Sequence, residues 1–297
     1  MDIHYHIPVM CKEVVEYLNL RPGSIVIDAT IGTAGHSLAM LEKILPGGLL
    51  IGLDKDKETL EVARERLKSF NNRCILIQED FRNIDSVTNR LNLGGVDAIL
   101  FDLGISSFQL DNPERGFSFT NEGPLDMRMD RESFISAYDL VNNLNADEIS
   151  NILESFGQEH WHNRIARHLV QERGKFPIAT TRQLSNIVVN SIPYKARHKK
   201  THAATKTFQA LRIAVNRELE AEEEALKKSV HLLNKGGRIC VLSFHSLEDR
   251  IVKHNFKNFS TNGELKIITP KPLVASEEEK TANPLSRSAK LRVAERL

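Results

Sequence analysis

A single stretch, Ser24-Ile25-Val26-Ile27-Asp28-Ala29-Thr30-Ile31-Gly32-Thr33-Ala34-Gly35-His36-Ser37, restricts the folds open to this chain more than any other. Ser24 to Ile27 is a short run rich in β-branched residues, the pattern of a buried strand. It ends in Asp28 and a loop whose Gly32 and Gly35 let the backbone approach a ligand closely. Leu38 to Leu45 then carries apolar residues at helical spacing. Strand, glycine loop and helix in that order put backbone N–H groups at the carboxyl edge of a sheet, where open α/β folds bind nucleotide-like cofactors. The loop lacks the third glycine of a dinucleotide fingerprint, which speaks against a dehydrogenase and favours a ligand with no pyrophosphate to seat.

The same unit recurs downstream. Leu49 to Leu53 predicts a second strand ending at Asp54, Cys74 to Ile77 a third followed by Asp80 and Phe81, and Val96 to Phe101 a fourth ending in Asp102. Helical patterns separate them, so the expectation is a parallel, doubly wound sheet. Its edge would carry Asp28, Asp54, Asp80 and Asp102 over one crevice. A polar loop with Ser106, Ser107, Gly116 and Gly123 follows in place of the next helix. Three amphipathic patterns then come between Asn145 and Pro193, which predicts an inserted helical domain. A long helix from Phe208 to Leu233 leads back to a fifth strand, Arg238 to Phe244, then to Ile267-Ile268 and Lys290 to Val293. The acidic, proline-containing 271–286 stretch reads as a mobile loop.

Composition excludes several classes. At 41% hydrophobic and 27% charged residues the chain is ordinary for a soluble protein, with neither a membrane-length apolar run nor a signal-peptide pattern. Three cysteines, at 11, 74 and 240, provide neither a disulfide framework nor a metal-ligand cluster and suit a reducing cytoplasm, and no histidine or cysteine spacing suggests a metal-ligand set. A net charge of +1 is neutral about nucleic acid, but Lys195, Arg197, His198, Lys199, Lys200, His202 and Lys206 form a basic cluster suited to phosphate contacts. Phe108, Phe117 and Phe119 are either core residues or stacking surfaces for an unpaired base.

Eight blocks in order carry a resemblance: His6-x-Pro8-Val9, DATIGTAGHS from Asp28, DLGISSFQLD from Asp102, RGFSF from Arg115, GPLDMRMD from Gly123, TKTFQALRIAVNREL from Thr205, SFHSLEDRIVK from Ser243 and RSAKLRVAER from Arg287. Together they span nearly the whole chain, which resembles the bacterial 16S rRNA (cytosine-N4) methyltransferase family, RsmH/MraW. That resemblance implies a class I S-adenosylmethionine-dependent, Rossmann-like α/β sheet with an inserted small helical domain. The methyltransferase domain would be discontinuous, 1–136 and 206–297, around a substrate-recognition insertion at 137–205. It implies S-adenosylmethionine as cofactor, held by Ala34, Gly35, His36, Asp54, Phe81, Asp102 and Gln109. Its partner would be 16S rRNA within the small ribosomal subunit, with monomer and homodimer both open. Ala34 departs from the family pattern, which has glycine there. Asp126 and His245 are the catalytic candidates: Asp126 as an acceptor for the amino group, alongside Asp102 and the 103–107 backbone carbonyls, with a structural latch as its alternative, and His245 as base-orienting or proton-accepting group, with helix capping as its alternative. Methylation of another amino group, and a non-catalytic RNA-binding assembly factor, are the competing functions.

Overall fold

The computed structural model describes residues 7–197 and 202–297, which form two compact units. One holds the described residues up to Ser106 together with Leu219–Leu297; the other is Ser107–Glu218.

In chain order, the first unit runs α1 (Cys11–Leu18), β1 (Ile25–Asp28), α2 (Gly35–Ile44), β2 (Leu49–Asp54), α3 (Lys57–Arg66), β3 (Cys74–Gln78), α4 (Ile84–Arg90) and β4 (Val96–Asp102). The second unit contains α5 (Ser107–Asp111), α6 (Ala137–Asn143), α7 (Ala146–Gly157), α8 (His162–Arg173), α9 (Thr181–Ser191), α10 (Tyr194–Arg197) and α11 (Thr205–Asn216). The chain returns through α12 (Glu218–Leu232) to β5 (Leu233–Ser243), α13 (Ser246–Thr261), β6 (Leu265–Ile267), β7 (Leu273–Val274), α14 (Glu277–Ala282) and β8 (Lys290–Arg296).

The sheet order is β3-β2-β1-β4-β5-β8-β6, with β7 also pairing β8. The first five strands are parallel, and β8 enters antiparallel between β5 and β6. This is the Rossmann-like α/β sheet expected from the alternating pattern. Strand order reverses between β1 and β4, so their carboxyl ends open a crevice. Alternate side chains of each strand feed opposite faces. Val26, Leu50, Leu100 and Leu242 pack with Val14, Met40, Leu41 and Leu60 of α1 to α3. Ile27, Ile51, Ile99 and Val241 pack with Val87, Leu226, Val230, Val252 and Phe256 of α4, α12 and α13. Two buried faces explain why these strands read as unbroken apolar runs.

Two expectations are corrected. The long helix is broken: Arg217 is left-handed (φ 50) and ends α11. Asn216 is drawn into side-chain bonds, its Oδ1 accepting from Met129 N–H and its Nδ2 donating to Met127 O, each at 2.8 Å. Arg212 grips Glu218 across the break with bonds of 2.9 and 2.8 Å. Apolar periodicity continues through such a kink, so the pattern conceals it. The 271–286 stretch, for its part, is ordered by capping and by the N-terminal segment. Ser276 caps α14, Glu279 Oε1 accepts from Met10 N–H at 2.6 Å, and Asn283 Nδ2 donates to Ile7 O at 2.9 Å.

Within the second unit, Asn145 and Glu148 form the expected capping box of α7, while Ser136 and Asp139 form one on α6. Buried Arg115 donates through Nη2 to the carbonyls of Arg128 and Met129, holding the 127–129 backbone. The adjoining Gly116 has φ +72, and a Cβ there would strike Pro124 O and lie 2.7 Å from Asp126 N. Gly116→Ala should therefore destabilise this unit by about 2 kcal/mol or more, since strain and a backbone clash add. Urea unfolding checks this; a loss below about 0.5 kcal/mol would contradict it.

Candidate active site

The loop after β1 is built by hydrogen bonds to strand-end carboxylates. Asp28, at the end of β1, is buried and accepts from Ser37 Oγ at 2.6 Å, tying strand to helix α2. Asp54, at the end of β2, accepts from Gly32 N–H at 3.1 Å and from Asp56 N–H at 2.9 Å. Thr30 Oγ1 accepts from Asp102 N–H at 2.6 Å, joining the loop to the end of β4. From outside, Arg66 donates to Thr33 O at 2.8 Å. Nothing in the residue pattern singles out Thr30, Ser37 or Arg66 for these contacts, although Thr30 and Ser37 stand within the β1–loop–α2 block itself.

Ala34 is buried and left-handed (φ 63), so the departure from glycine stands at a position where an alanine is strained by about 1 kcal/mol. Its methyl group joins the core of the α1–α3 face, which offsets part of that cost. Gly35 opens α2 beneath Pro8: a Cβ would meet the proline ring at 3.1–3.3 Å. His36 is buried, with Nε2 2.9 Å from Val9 O and Nδ1 3.4 Å from Asp102 Oδ2. His6, the first residue of the same N-terminal block, lies outside the described residues. Phe81 follows β3 and stands edge-on to Phe101, ring centroids 5.7 Å apart at 90°.

The carboxylates are unusually basic for aspartates. Burial pushes Asp28 up to about 6, against the opposing pull of Ser37 and His36. Burial likewise raises Asp54 to about 7, and burial together with Glu248 raises Asp102 to about 7. Asp80 differs: despite burial, Arg82 at 2.9 Å and Lys55 at 4.0 Å hold it below the ordinary range. Asp80 is thus a paired charge and caps the turn at Phe81.

Gln109 is buried in α5, within the second unit. Asp126 also lies there, and Arg128 binds it bidentately at 2.8 and 2.7 Å. Burial pushes Asp126 up, but those bonds outweigh it and keep the carboxyl ionised. His245 belongs to the first unit, where it caps α13: Nδ1 accepts from Glu248 N–H at 3.3 Å, and Glu248 Oε2 returns bonds to Phe244 and His245 N–H. The catalytic candidates therefore stand in different units, each with a local structural partner.

Phe117 is buried, and Phe119 stacks on His202 at 4.5 Å and meets Phe208 edge-on at 5.1 Å. Among the described residues of this unit, Phe134, Tyr138, Phe176 and Tyr194 are exposed aromatic rings. Of the basic cluster, Arg197 donates to Ile192 O and Lys206 to Gln158 O, while Lys195 is exposed. His198, Lys199 and Lys200 lie outside the described residues. Among the described residues no three His, Cys, Asp or Glu come together to hold a metal ion, and no helix is long and apolar enough to cross a membrane.

The first unit fits an adenosyl sulfonium ligand. Each oxygen of Asp54 accepts one backbone N–H and keeps lone pairs for a diol. Gly32 is left-handed (φ +51), and a Cβ placed there would make ordinary contacts only, at 3.8 and 3.9 Å. Asp102 has one oxygen, Oδ1, buried without a hydrogen-bond partner among the described residues, while its side chain as a whole is 27% exposed.

Comparison with known proteins agrees with this geometry. A family model described as the MraW methylase family matches residues 3–297. A protein of Brevibacillus brevis called ribosomal RNA small subunit methyltransferase H is 46% identical, covering 99% of this chain and 98% of its own. Proteins with the same name from Sulfurihydrogenibium sp. and Clostridioides difficile are 47% and 43% identical, over 98% and 100% of this chain and 99% and 100% of theirs.

The raised Asp54 couples stability to pH. Its folded form keeps a proton to about pH 7, whereas the solvated carboxyl has a reference value of 3.8. The stability it contributes is present below the lower value and lost as pH rises through 7. Asp54→Asn lacks this loss, so its melting temperature should gain on the parent's between pH 5 and pH 8. An identical difference at both pH values would contradict the assignment.

Proposed function

The chain belongs to the MraW methylase family, and from that premise we propose that it methylates the N4 amino group of a cytidine in 16S rRNA, using S-adenosylmethionine. The observation that carries this reading is the Asp54 carboxyl at the end of β2, held on each oxygen by one backbone N–H, in a row with Asp28 and Asp102 at the ends of β1 and β4. Bound S-adenosylmethionine supplies an electrophilic methyl group on a sulfonium. Asp54 holds the ribose hydroxyls, Phe81 flanks the adenine, and the loop Ala34-Gly35-His36 takes the amino-acid end, with Asp102 and Gln109 as the further cofactor contacts the family resemblance implies.

Cytosine N4 is a weak nucleophile because its lone pair is delocalised into the ring. An acceptor that binds its N–H orients that lone pair and stabilises the charge that develops on nitrogen. The candidates for that acceptor are the Asp102 carboxyl and the 103–107 backbone carbonyls at the end of β4, with Asp126 as the third. Asp126 also serves through its ion pair, keeping Arg128 and the 126–130 loop in place, and His245 sets the start of α13. The 107–218 unit recognises the RNA, with the 137–205 helices as its substrate-reading part. A target base inside a helix must leave its stack before its amino group is reachable. Lys195 contributes a phosphate contact. The protein acts in the cytoplasm on rRNA of the small ribosomal subunit.

Mass mapping of methylated nucleosides in small-subunit rRNA, with and without active protein, tests the reading; an unchanged N4-methylcytidine content would overturn it. At pH 8, where Asp54 is ionised, Asp54→Ala should weaken cofactor binding by about 1.5–3 kcal/mol, the worth of a charged acceptor. Calorimetry on the folded variant decides, and parent-like affinity would remove Asp54 from the ribose. Lys195→Ala should lower the salt slope of rRNA binding by roughly one while leaving cofactor affinity alone; an unaltered slope would make Lys195 a solvated charge only.

A further inference from the structure

The second unit carries its charge unevenly. Between Glu159 and Glu218 the sequence holds twelve Lys and Arg against a single acid, Glu172, although acids and bases are nearly balanced over the whole chain at 39 and 40. Most of the described cations here are engaged within the unit. Arg173 and Lys206 donate to the carbonyls of Val141 and Gln158, while Arg182 and Arg212 pair with Glu122 and Glu218. Arg164 and Arg167 on α8 and Lys195 on α10 differ. All three are exposed, and among the described residues none of them has a hydrogen-bond or ion-pair partner.

The packing of the helices brings these three cations to one corner. Helix α8 is held on two flanks: Ser150 of α7 bonds His162 Nδ1 at 2.8 Å, and Ser191 of α9 bonds His168 Nδ1 at 3.0 Å. Ile165, Ala166 and Leu169 fill its buried side. At about 3.6 residues per turn, Arg164 and Arg167 fall on the side away from that core, Arg164 one turn before His168. From Ser191 the chain passes into α10, and Arg197 Nε donates back to Ile192 O at 2.8 Å. Lys195 and the 70%-exposed ring of Tyr194 therefore stand close to the end of α9 that meets His168. At most about 14 Å of chain separates Lys195 from Ser191.

The fold gains nothing from this arrangement. Like charges three residues apart on a helix repel, so Arg164 and Arg167 weaken α8 rather than support it. The sequence has no carboxylate from 173 to 217 to relieve them. Unpaired guanidinium forks match phosphate oxygens bidentately, and an aromatic ring beside a cation suits an unpaired base better than an acidic protein surface.

We propose that Arg164 and Arg167, continued by Lys195, form a ridge that binds the sugar–phosphate backbone of the substrate RNA. The identity of that RNA rests on the methyl-transfer reading above. Backbone contacts of this kind fix affinity and position and read no base. The ridge therefore governs capture of the RNA and leaves the transfer step to other residues.

Binding of the full-length protein to naked small-subunit rRNA across a salt series tests this. In Arg164→Gln/Arg167→Gln the slope of log affinity against log salt should fall by roughly 1.4–1.8, the release expected for two phosphates. At about 0.15 M salt KM for rRNA should rise about tenfold while kcat at saturation and cofactor affinity stay unchanged. The single variants Arg164→Gln and Arg167→Gln should each lower the slope by roughly one, and Arg164→Lys/Arg167→Lys should keep it. Melting temperature should hold or rise, because a repulsion is relieved and no partner is lost. An unaltered slope in the folded Gln variants would overturn the proposal. So would a kept slope joined to lost retention on polyglutamate, which would make the ridge a dock for an acidic protein. If the parent transfers no methyl group to rRNA yet the double variant loses its slope, the catalytic reading fails and the ridge stands. Normal transfer with an unmoved slope defeats the ridge alone.

Discussion

Removal of carboxylates from water is the constraint on which the first unit depends. A parallel sheet whose order reverses between β1 and β4 brings Asp28, Asp54 and Asp102 to one edge. Buried anions without partners are costly, so each must be bonded or keep its proton. The loop after β1 meets part of this requirement: Gly32 N–H binds Asp54, Ser37 binds Asp28, and Thr30 holds the backbone of Asp102. The loop conformation and the carboxylate protonation states are therefore one problem with one solution. A strained Ala34 is tolerated because its neighbours fix the backbone on both sides.

The N-terminal segment extends that arrangement. Val9 fixes the His36 ring, Pro8 lies against Gly35, and Glu279 and Asn283 bind the backbone of Met10 and Ile7. Residues from the two ends of the chain thus brace one helix start. This explains why an acidic stretch that looks too polar to pack is ordered: Ala275, Asn283 and Ser286 are buried, and its carboxylates have backbone donors to meet.

The second unit is held by a different device, backbone clamped by side chains. Arg115 and Asn216 reach the 127–129 backbone from positions far apart in sequence. Met127 is left-handed and fully buried there, a conformation that persists only when its surroundings over-determine it. Asp126 and Arg128 are bound to each other on that same loop, so its charge is presented as a pair.

Much was legible in the residues alone. Buried parallel strands announce themselves as apolar runs, and a strand-ending aspartate before a glycine loop marks the cofactor edge, because both are local patterns with local causes. The Asn145–Glu148 capping box was readable for the same reason. What escaped was non-local. The break at Arg217 is set by Asn216 reaching Met127 and Met129, and a helical period cannot report it. The antiparallel entry of β8 between β5 and β6 depends on pairing between segments that no spacing connects. That His245 caps α13 likewise depends on Glu248 closing the box around it. Residue type and order determined which groups stand at the sheet edge; only the tertiary structure decided which are desolvated, and so which aspartates keep a proton. Burial and hydrogen-bond geometry set the energy of a charge, and both arise only when distant segments pack.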